Sequence, residues 1–188
     1  ARELLELHTL GIEGGYTQRD VQELARVLTG FGMRVEPGPP RMKAAFAAQY
    51  QRQGLFEFNP ARHDFGDKTL LGRTIKGRGA AELDEVLDLL VAHPSTARFV
   101  SRKLAVFFLS DQPPQPLVDQ MAERFQRSDG DIAATLRVLL LAPEFAAADL
   151  RKFKDPQHYL LSGLRATYVD QANPQVILNS QPVQAWLR

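Results

Sequence analysis

ELDEVLDLLVAHPSTARFVSRKLAVFF, residues 82–108, is the stretch that decides the fold. Its apolar residues recur at helical spacing on both sides of His93-Pro94, and a proline disfavours helical geometry at the residue before it. The stretch therefore predicts two amphipathic helices that meet at His93, with Ser95 or Thr96 as the cap of the second. The apolar stripe of the second helix is broad enough for a central core element, and it comprises Phe99, Val100, Lys103, Leu104, Phe107 and Phe108.

Helical spacing also dominates the rest of the chain. Thr17 and Asp20 resemble a capping pair for a helix that ends at Gly30. A looser helix is expected over about residues 42–53. Further helices are expected in the second half of the chain. We expect the helices to share one core that contains Leu87, Leu90, Leu104, Phe107, Leu136 and Leu140, so that Phe107→Ala costs about 3 to 5 kcal/mol.

Strand-like patterns occur in one part of the sequence. Phe56-Glu57-Phe58 alternates, Thr74-Ile75-Lys76 is β-branched, and turn signals lie between them. These patterns predict one small β-hairpin insertion between residues 55 and 77. The sequence as a whole predicts an all-α fold: one domain over residues 1–188, built as an orthogonal or irregular bundle of about seven or eight helices, with that hairpin as a small insertion.

The composition excludes several classes of protein. With 188 residues, 44% of them hydrophobic, the chain can bury a core without disulfides or metals. A net charge of +1 argues against a general nucleic-acid binder, which needs a basic excess. The absence of cysteine excludes disulfides, thiolate catalysis and Cys-ligated metals. The longest apolar runs, such as residues 138–142, are too short to cross a bilayer, and no motif indicates a cofactor.

The first residues are typical of the inside of a helix. Residues 1–7 read ARELLEL, with no cap before them. This predicts that the chain is the C-terminal portion of a longer protein, with an apolar surface at Leu4, Leu7 and Phe46 that the missing N-terminal half covers. We expect the isolated chain to self-associate through that surface. The alternative is a complete domain whose first helix packs on its own core.

Six ordered motifs carry a family resemblance. They are residues 1–11 with 15–17 and 20–21, residues 63–68 with 71–72, residues 93–99 with 103–104, residues 128–132, residues 143–145 and residues 154–156. Together they resemble the DUF1800 family, a large bacterial family of unknown function. The resemblance implies an exported protein, a sulfatase-like exported partner, and an upstream half rich in aromatic residues and histidine. Phe31 departs from it, because the family often has Trp there, and the tail near Trp186 matches loosely.

The first candidate site lies on the first helix. Glu3, Glu6 and His8 are residue types of a hydrolytic metal or acid–base site. Glu6 and His8 are about 200° apart around a helix, so the three side chains converge only with a partner segment. The alternative is a helix that packs through His8 and exposes its glutamates.

The second candidate is His63-Asp64. Adjacent His and Asp residues bind metal from a helix in the HD phosphohydrolases, but here the pair lies in a turn between Asn59-Pro60 and Gly66, which argues against that family. The favoured interpretation is a structural turn in which Asp64 accepts backbone N–H groups and Lys68 pairs with a carboxylate. A metal or catalytic site there stays as the alternative.

The third candidate surrounds the junction of the two central helices. His93 suits a helix C-terminus, while Arg98 and Arg102 share a face that could bind phosphate or sulfate, or pair with acidic residues of the preceding helix. Lys103 falls inside the apolar stripe, where an isolated ammonium is costly to bury. We therefore interpret Lys103 as a buried polar clamp between helices.

Two glycine-containing segments are weaker signals. Residues 72–79 resemble an anion cradle but lack P-loop spacing, and a basic hairpin tip is the favoured interpretation. Residues 128–131 have too few oxygen ligands for an EF-hand loop and are expected to cap a helix. A Gly-x-Ser-x-Gly elbow is absent.

Two hypotheses of function follow. The first is a helical interaction or scaffold domain of an exported protein that works with a partner. The second is half of a hydrolase-like enzyme, whose site forms between the missing half and His8, His63, Asp64 or Arg98. Convergence of these side chains within about 2 to 3 Å of a shared metal or proton would favour the enzyme.

Overall fold

The chain is mostly helical and carries two small antiparallel sheets. The computed structural model describes residues 1–148 and 152–167, and 54% of the structure is helical. The helices are α1 (Leu4–Thr9), which is a π-helix, α2 (Gln18–Val27), α3 (Ala44–Ala47), α4 (Ala81–Val91), α5 (Pro94–Phe108), α6 (Gln115–Arg127), α7 (Ile132–Leu140), α8 (Pro143–Ala146) and α9 (Pro156–Thr167). A short 3₁₀-helix spans Pro60–Arg62. Within the described ranges, no helix is long and apolar enough to span a membrane.

Side-chain caps fix where three of these helices begin. Thr17 and Asp20 form the predicted capping box of α2, in which the Asp20 amide donates to Thr17 Oγ1 (3.2 Å) and the Thr17 amide donates to Asp20 Oδ2 (2.7 Å). Asp131 caps α7 by accepting from the Ala134 amide at 3.0 Å, which confirms the predicted turn and cap. For α5, the cap is neither Ser95 nor Thr96.

His93 is the cap of α5. Its Nδ1 accepts a hydrogen bond from the Ser95 amide at 3.1 Å, so this ring nitrogen carries no proton. Pro94 then occupies the first helical position, where its missing N–H has no cost. Thr96 is buried inside the helix, and its hydroxyl has no partner in the part of the chain that is described.

The three-stranded sheet contains β1 (Phe31–Met33), β2 (Gln51–Gln53) and β3 (Phe56–Phe58) in the order β1-β3-β2. The second sheet is a hairpin of β4 (Lys68–Leu70) and β5 (Arg73–Ile75). Its turn places Leu71 and Gly72 at φ 49° and 75°, the conformation of a tight hairpin turn.

The prediction of an all-α fold with one hairpin is wrong. Residues 56–58 and 74–75 do form strands, but Phe56–Phe58 pairs with β1 and β2, whereas Arg73–Ile75 pairs with β4. The helix expected over residues 42–53 contracts to Ala44–Ala47, because the chain reverses at Gly54 (φ 61°) and residues 51–53 pair as a strand. Strands of three residues are too short for their periodicity to be recognised.

The core consists of separate clusters rather than one. The first joins α1, α2, the β4–β5 hairpin and α4 through Leu5, Leu10, Leu24, Val27, Leu70, Ile75, Val86 and Leu90. The second joins α5, α6 and α7 through Ala105, Leu109, Leu117, Val118, Met121, Leu139 and Ala142. A third, smaller cluster of Ala97, Ala122 and Phe125 lies between α5 and α6.

The predicted single core is therefore also wrong. Leu90 belongs to the first cluster, whereas Leu104 and Leu136 pack against the second. Phe107 is 64% exposed, Leu140 is 49% exposed and Leu87 is 38% exposed. The apolar stripe of α5 is wider than the surface that α6 covers, and its outer part stays accessible.

Candidate functional site

A buried ionic network surrounds the carboxylate of Glu82, in the first turn of α4. Glu82 Oε1 accepts from the amides of Arg78 (2.7 Å) and Gly79 (2.9 Å) and lies 2.9 Å from His63 Nε2. Glu82 Oε2 accepts from Lys68 Nζ at 2.5 Å. The side chains of Glu82, His63 and Lys68 are wholly shielded from solvent. The negative charge at the centre of this network is therefore the Glu82 side chain of the protein itself.

Both ring nitrogens of His63 face acceptors. Nδ1 lies 2.7 Å from the carbonyl oxygen of Thr29, and Nε2 faces the Glu82 carboxylate. Each ring nitrogen is therefore within hydrogen-bond distance of an oxygen of the protein. The rings of Phe58 and Phe65 approach the imidazole edge to face, at centroid distances of 5.2 and 4.8 Å. His63 is held on all sides by the protein.

Asp64 organises the turn that presents His63. Its Oδ1 accepts from the Gly66 amide at 2.8 Å, and its Oδ2 accepts from Arg26 Nε at 2.8 Å. The Arg26 hydrogen bond, with that of the Gly66 amide, lowers the pKa of Asp64 from 3.8 to about 2. The prediction that Asp64 accepts backbone N–H groups and that Lys68 finds a carboxylate is confirmed.

The electrostatics keep Glu82 ionised. Burial alone raises the pKa of Glu82, but the hydrogen bonds from Lys68, His63 and the two amides outweigh burial and bring this pKa below its ordinary value. Lys68 also donates to the carbonyl oxygen of Asp64. The network therefore ties the end of α2, the 63–68 turn, β4 and α4 together, and its donors and acceptors are used internally.

A second feature is an open groove along the outer face of α5. The groove has a volume of about 620 Å³, and we call it the α5 groove. Its lining residues are Leu7, His8, Phe99, Val100, Arg102, Lys103, Leu104, Val106, Phe107 and Lys152. It is the place where the outer part of the apolar stripe stays accessible.

Lys103 lies at this groove and is exposed, so the prediction of a buried clamp is wrong. Its Nζ donates to the carbonyl oxygen of Leu7 at 3.0 Å and lies 4.8 Å from the centre of the Phe99 ring. The lysine does join α5 to α1, but through a backbone carbonyl at a helix end rather than through a carboxylate.

The structure separates the other candidate residues. His8 is exposed at the α5 groove, Glu3 is exposed directly before α1, and His63 and Asp64 belong to the Glu82 network or its supporting turn. Arg98 is exposed on α5. Over residues 1–148 and 152–167, no group of three or more His, Asp or Glu side chains could hold a metal ion.

The arginines of α5 lack the predicted acidic partners. Within the described ranges, neither Arg98 nor Arg102 pairs with a carboxylate. Of the acidic residues on the preceding helix, Glu82 pairs with Lys68 and Glu85 pairs with Arg78. The central residue of the buried network, Glu82, is thus one that sequence reasoning considered only as a partner for these arginines. A signal for it does exist: Glu82 follows Gly79 by three residues, as in a capping box, and its carboxylate reaches back to the Gly79 amide.

Comparison with known proteins gives one match. No curated protein and no solved structure matches the chain. The model of a family described as "Protein of unknown function (DUF1800)" matches residues 1–188. Because this match covers the whole sequence, the chain belongs to the DUF1800 family.

Proposed function

We propose that this chain is a helical interaction or scaffold domain. The observation that carries the proposal is the outer face of α5, where Phe107 is 64% exposed and Phe108 is 44% exposed beside an open groove. Large aromatic side chains grouped on a surface are typical of a face that binds another molecule. The His63-Asp64 pair supports the same proposal, because its polar groups are engaged within the protein.

The compartment and the partner are proposals that rest on the family resemblance. Through it we infer an exported bacterial protein that works with an exported sulfatase-like partner. The absence of cysteine is compatible with export, because such a chain needs no disulfide.

Site-specific photo-crosslinking in the organism that encodes this chain tests the proposal. Phe107→p-benzoylphenylalanine should yield a discrete crosslinked protein, which mass spectrometry identifies. The same probe at Met33, which is 75% exposed on β1, should not yield it. Equal crosslinking at both positions would contradict a specific interaction face. Hydrolytic turnover by the purified chain that Asp64→Asn abolishes without unfolding would favour the enzyme instead.

A further inference from the structure

The α5 groove combines an apolar floor with a basic rim. Phe99, Val100, Leu104 and Phe107 supply apolar surface. The ionisable side chains that line the groove are all basic, namely His8, Arg102, Lys103 and Lys152. In the described part of the chain, none of these four forms an ion pair with a carboxylate. Among the described residues, the groove thus offers four basic side chains that no carboxylate neutralises.

Two of these cations are held in place by the protein. Lys103 Nζ is fixed by the Leu7 carbonyl oxygen at 3.0 Å, and Lys152 Nζ donates to the carbonyl oxygen of Val106. Each ammonium also lies over an aromatic ring, 4.8 Å from the centre of Phe99 and 5.5 Å from that of Phe107. Because these contacts are to neutral groups, they orient the ammonium ions without neutralising them.

The charges discriminate among the possible occupants. Symmetrical docking of a second copy would place one basic rim against another, which is unfavourable. The C-terminal residues 168–188 do not match the basic rim in charge, because they contain a single acidic side chain, Asp170, against one basic side chain, Arg188. An anionic membrane surface fits less well, because the apolar surface lies in a concave groove. The basic rim is instead complementary in charge to an acidic segment of another protein.

The shape of the groove indicates the conformation of that segment. The floor is one face of a 15-residue helix, whose side chains at positions 99, 103 and 107 form a ridge. A second helix packs against such a ridge, whereas a peptide that binds by strand addition requires a free strand edge. Between its first and last turns, the backbone N–H and C=O groups of α5 are used by the helix itself.

We propose that the α5 groove binds an amphipathic helix of a partner protein, with apolar residues toward Phe107 and acidic residues toward Arg102, Lys103 and Lys152. This inference rests on the proposed function and specifies the chemistry of the partner. The apolar contacts supply most of the affinity, while the carboxylates fix orientation and exclude basic helices.

Fluorescence polarisation with a designed probe tests the proposal. The probe is a labelled peptide of about 18 residues with leucines at helical spacing and flanking glutamates, and its matched control carries lysines in place of the glutamates. The 188-residue chain should bind the acidic probe at least about tenfold more tightly than the basic one. Phe107→Ser, and Arg102→Glu combined with Lys152→Glu, should each weaken acidic binding about tenfold or more.

Two surface variants serve as controls. Met33→Ser removes an exposed apolar side chain of β1, and Arg73→Glu reverses an exposed charge of β5. Both should bind the acidic probe as the unaltered chain does, and thermal melting should show that every variant is folded.

Three outcomes would overturn the inference. They are equal affinity for both probes, binding to phosphatidylserine vesicles but not to the acidic probe, and binding of the acidic probe only after removal of residues 168–188. The last would identify the tail as the occupant. If Phe107 crosslinks a discrete protein in cells but the groove shows no preference for the acidic probe, the interaction function stands and the proposed partner chemistry fails.

Discussion

At the scale of single residues, Glu82 is the side chain at the centre of the buried ionic network. It is a buried carboxylate contacted by Lys68, His63 and the adjacent amides of Arg78 and Gly79, so three segments of the chain meet on one anion. Burying such charges gains little by itself, because desolvation offsets their attraction. Removing one partner is costly, however, since the other charges remain buried.

Glu82→Gln tests this role. The amide keeps the shape of the side chain but leaves Lys68 without its counter-charge, so we expect a loss of about 3 to 5 kcal/mol in the free energy of unfolding. Asp84→Asn, on the exposed side of the same helix turn, should change it by less than about 0.5 kcal/mol. Urea titration of both variants measures the difference. Similar small losses would show that the Glu82 network is not needed for stability.

Asp64 gives a prediction about pH. Its pKa is lowered from 3.8 to about 2 in the folded protein, so its contacts with Arg26 and Gly66 stabilise the fold above about pH 4, and this contribution is lost as the pH falls toward 2. Asp64→Asn should therefore show a flatter fall in the free energy of unfolding between pH 4 and 2. NMR titration of the Asp64 carboxyl provides a direct check, and a pKa close to 3.8 would contradict the observed geometry.

At the scale of elements, the sequence predicted helices better than strands. Capping signals such as Thr17 with Asp20, and breaks such as His93-Pro94, are local and were recognised. The pairing of Phe56–Phe58 with Phe31–Met33 joins strands more than twenty residues apart, and no local pattern specifies it. The candidate site also depends on contacts between distant parts of the chain. Local turn signals indicate the 63–68 turn, but the contact of Glu82 with this turn depends on how α4 packs.

The two faces of α5 give a prediction at this scale. Phe107 lies on the exposed face, so Phe107→Ala should lower the free energy of unfolding by less than about 1 kcal/mol. Met121 of α6 is wholly buried against the inner face, and Met121→Ala should cost about 2 to 5 kcal/mol. Denaturant titration of the two variants checks the order. A larger cost for Phe107→Ala would mean that the groove is closed in solution.

At the scale of the whole molecule, charge is unevenly distributed over the described surfaces, although the net charge is only +1. The ionisable side chains of the α5 groove are all basic, while a second surface beside α4 carries four acidic side chains and two basic ones, namely Asp84, Glu85, Asp88, Asp129, Arg73 and Arg78. Leu7, at 48% exposure, extends the apolar surface of the groove to α1. Self-association, which the sequence predicts through Leu4 and Leu7, can therefore proceed either by apolar contact between like-charged grooves or by acid–base contact between different faces.

Ionic strength distinguishes these two modes of self-association. If copies associate by apolar contact between two α5 grooves, salt screens the repulsion that disfavours this contact, and the apparent mass from light scattering should then rise between about 20 and 500 mM NaCl. Phe107→Ser should abolish the rise, because that side chain supplies the largest exposed aromatic surface of the groove, whereas Met33→Ser should leave it unchanged. Association that instead weakens with salt would indicate acid–base contact between copies. In that case the acidic surface beside α4, rather than a helix of another protein, would be the natural ligand of the groove.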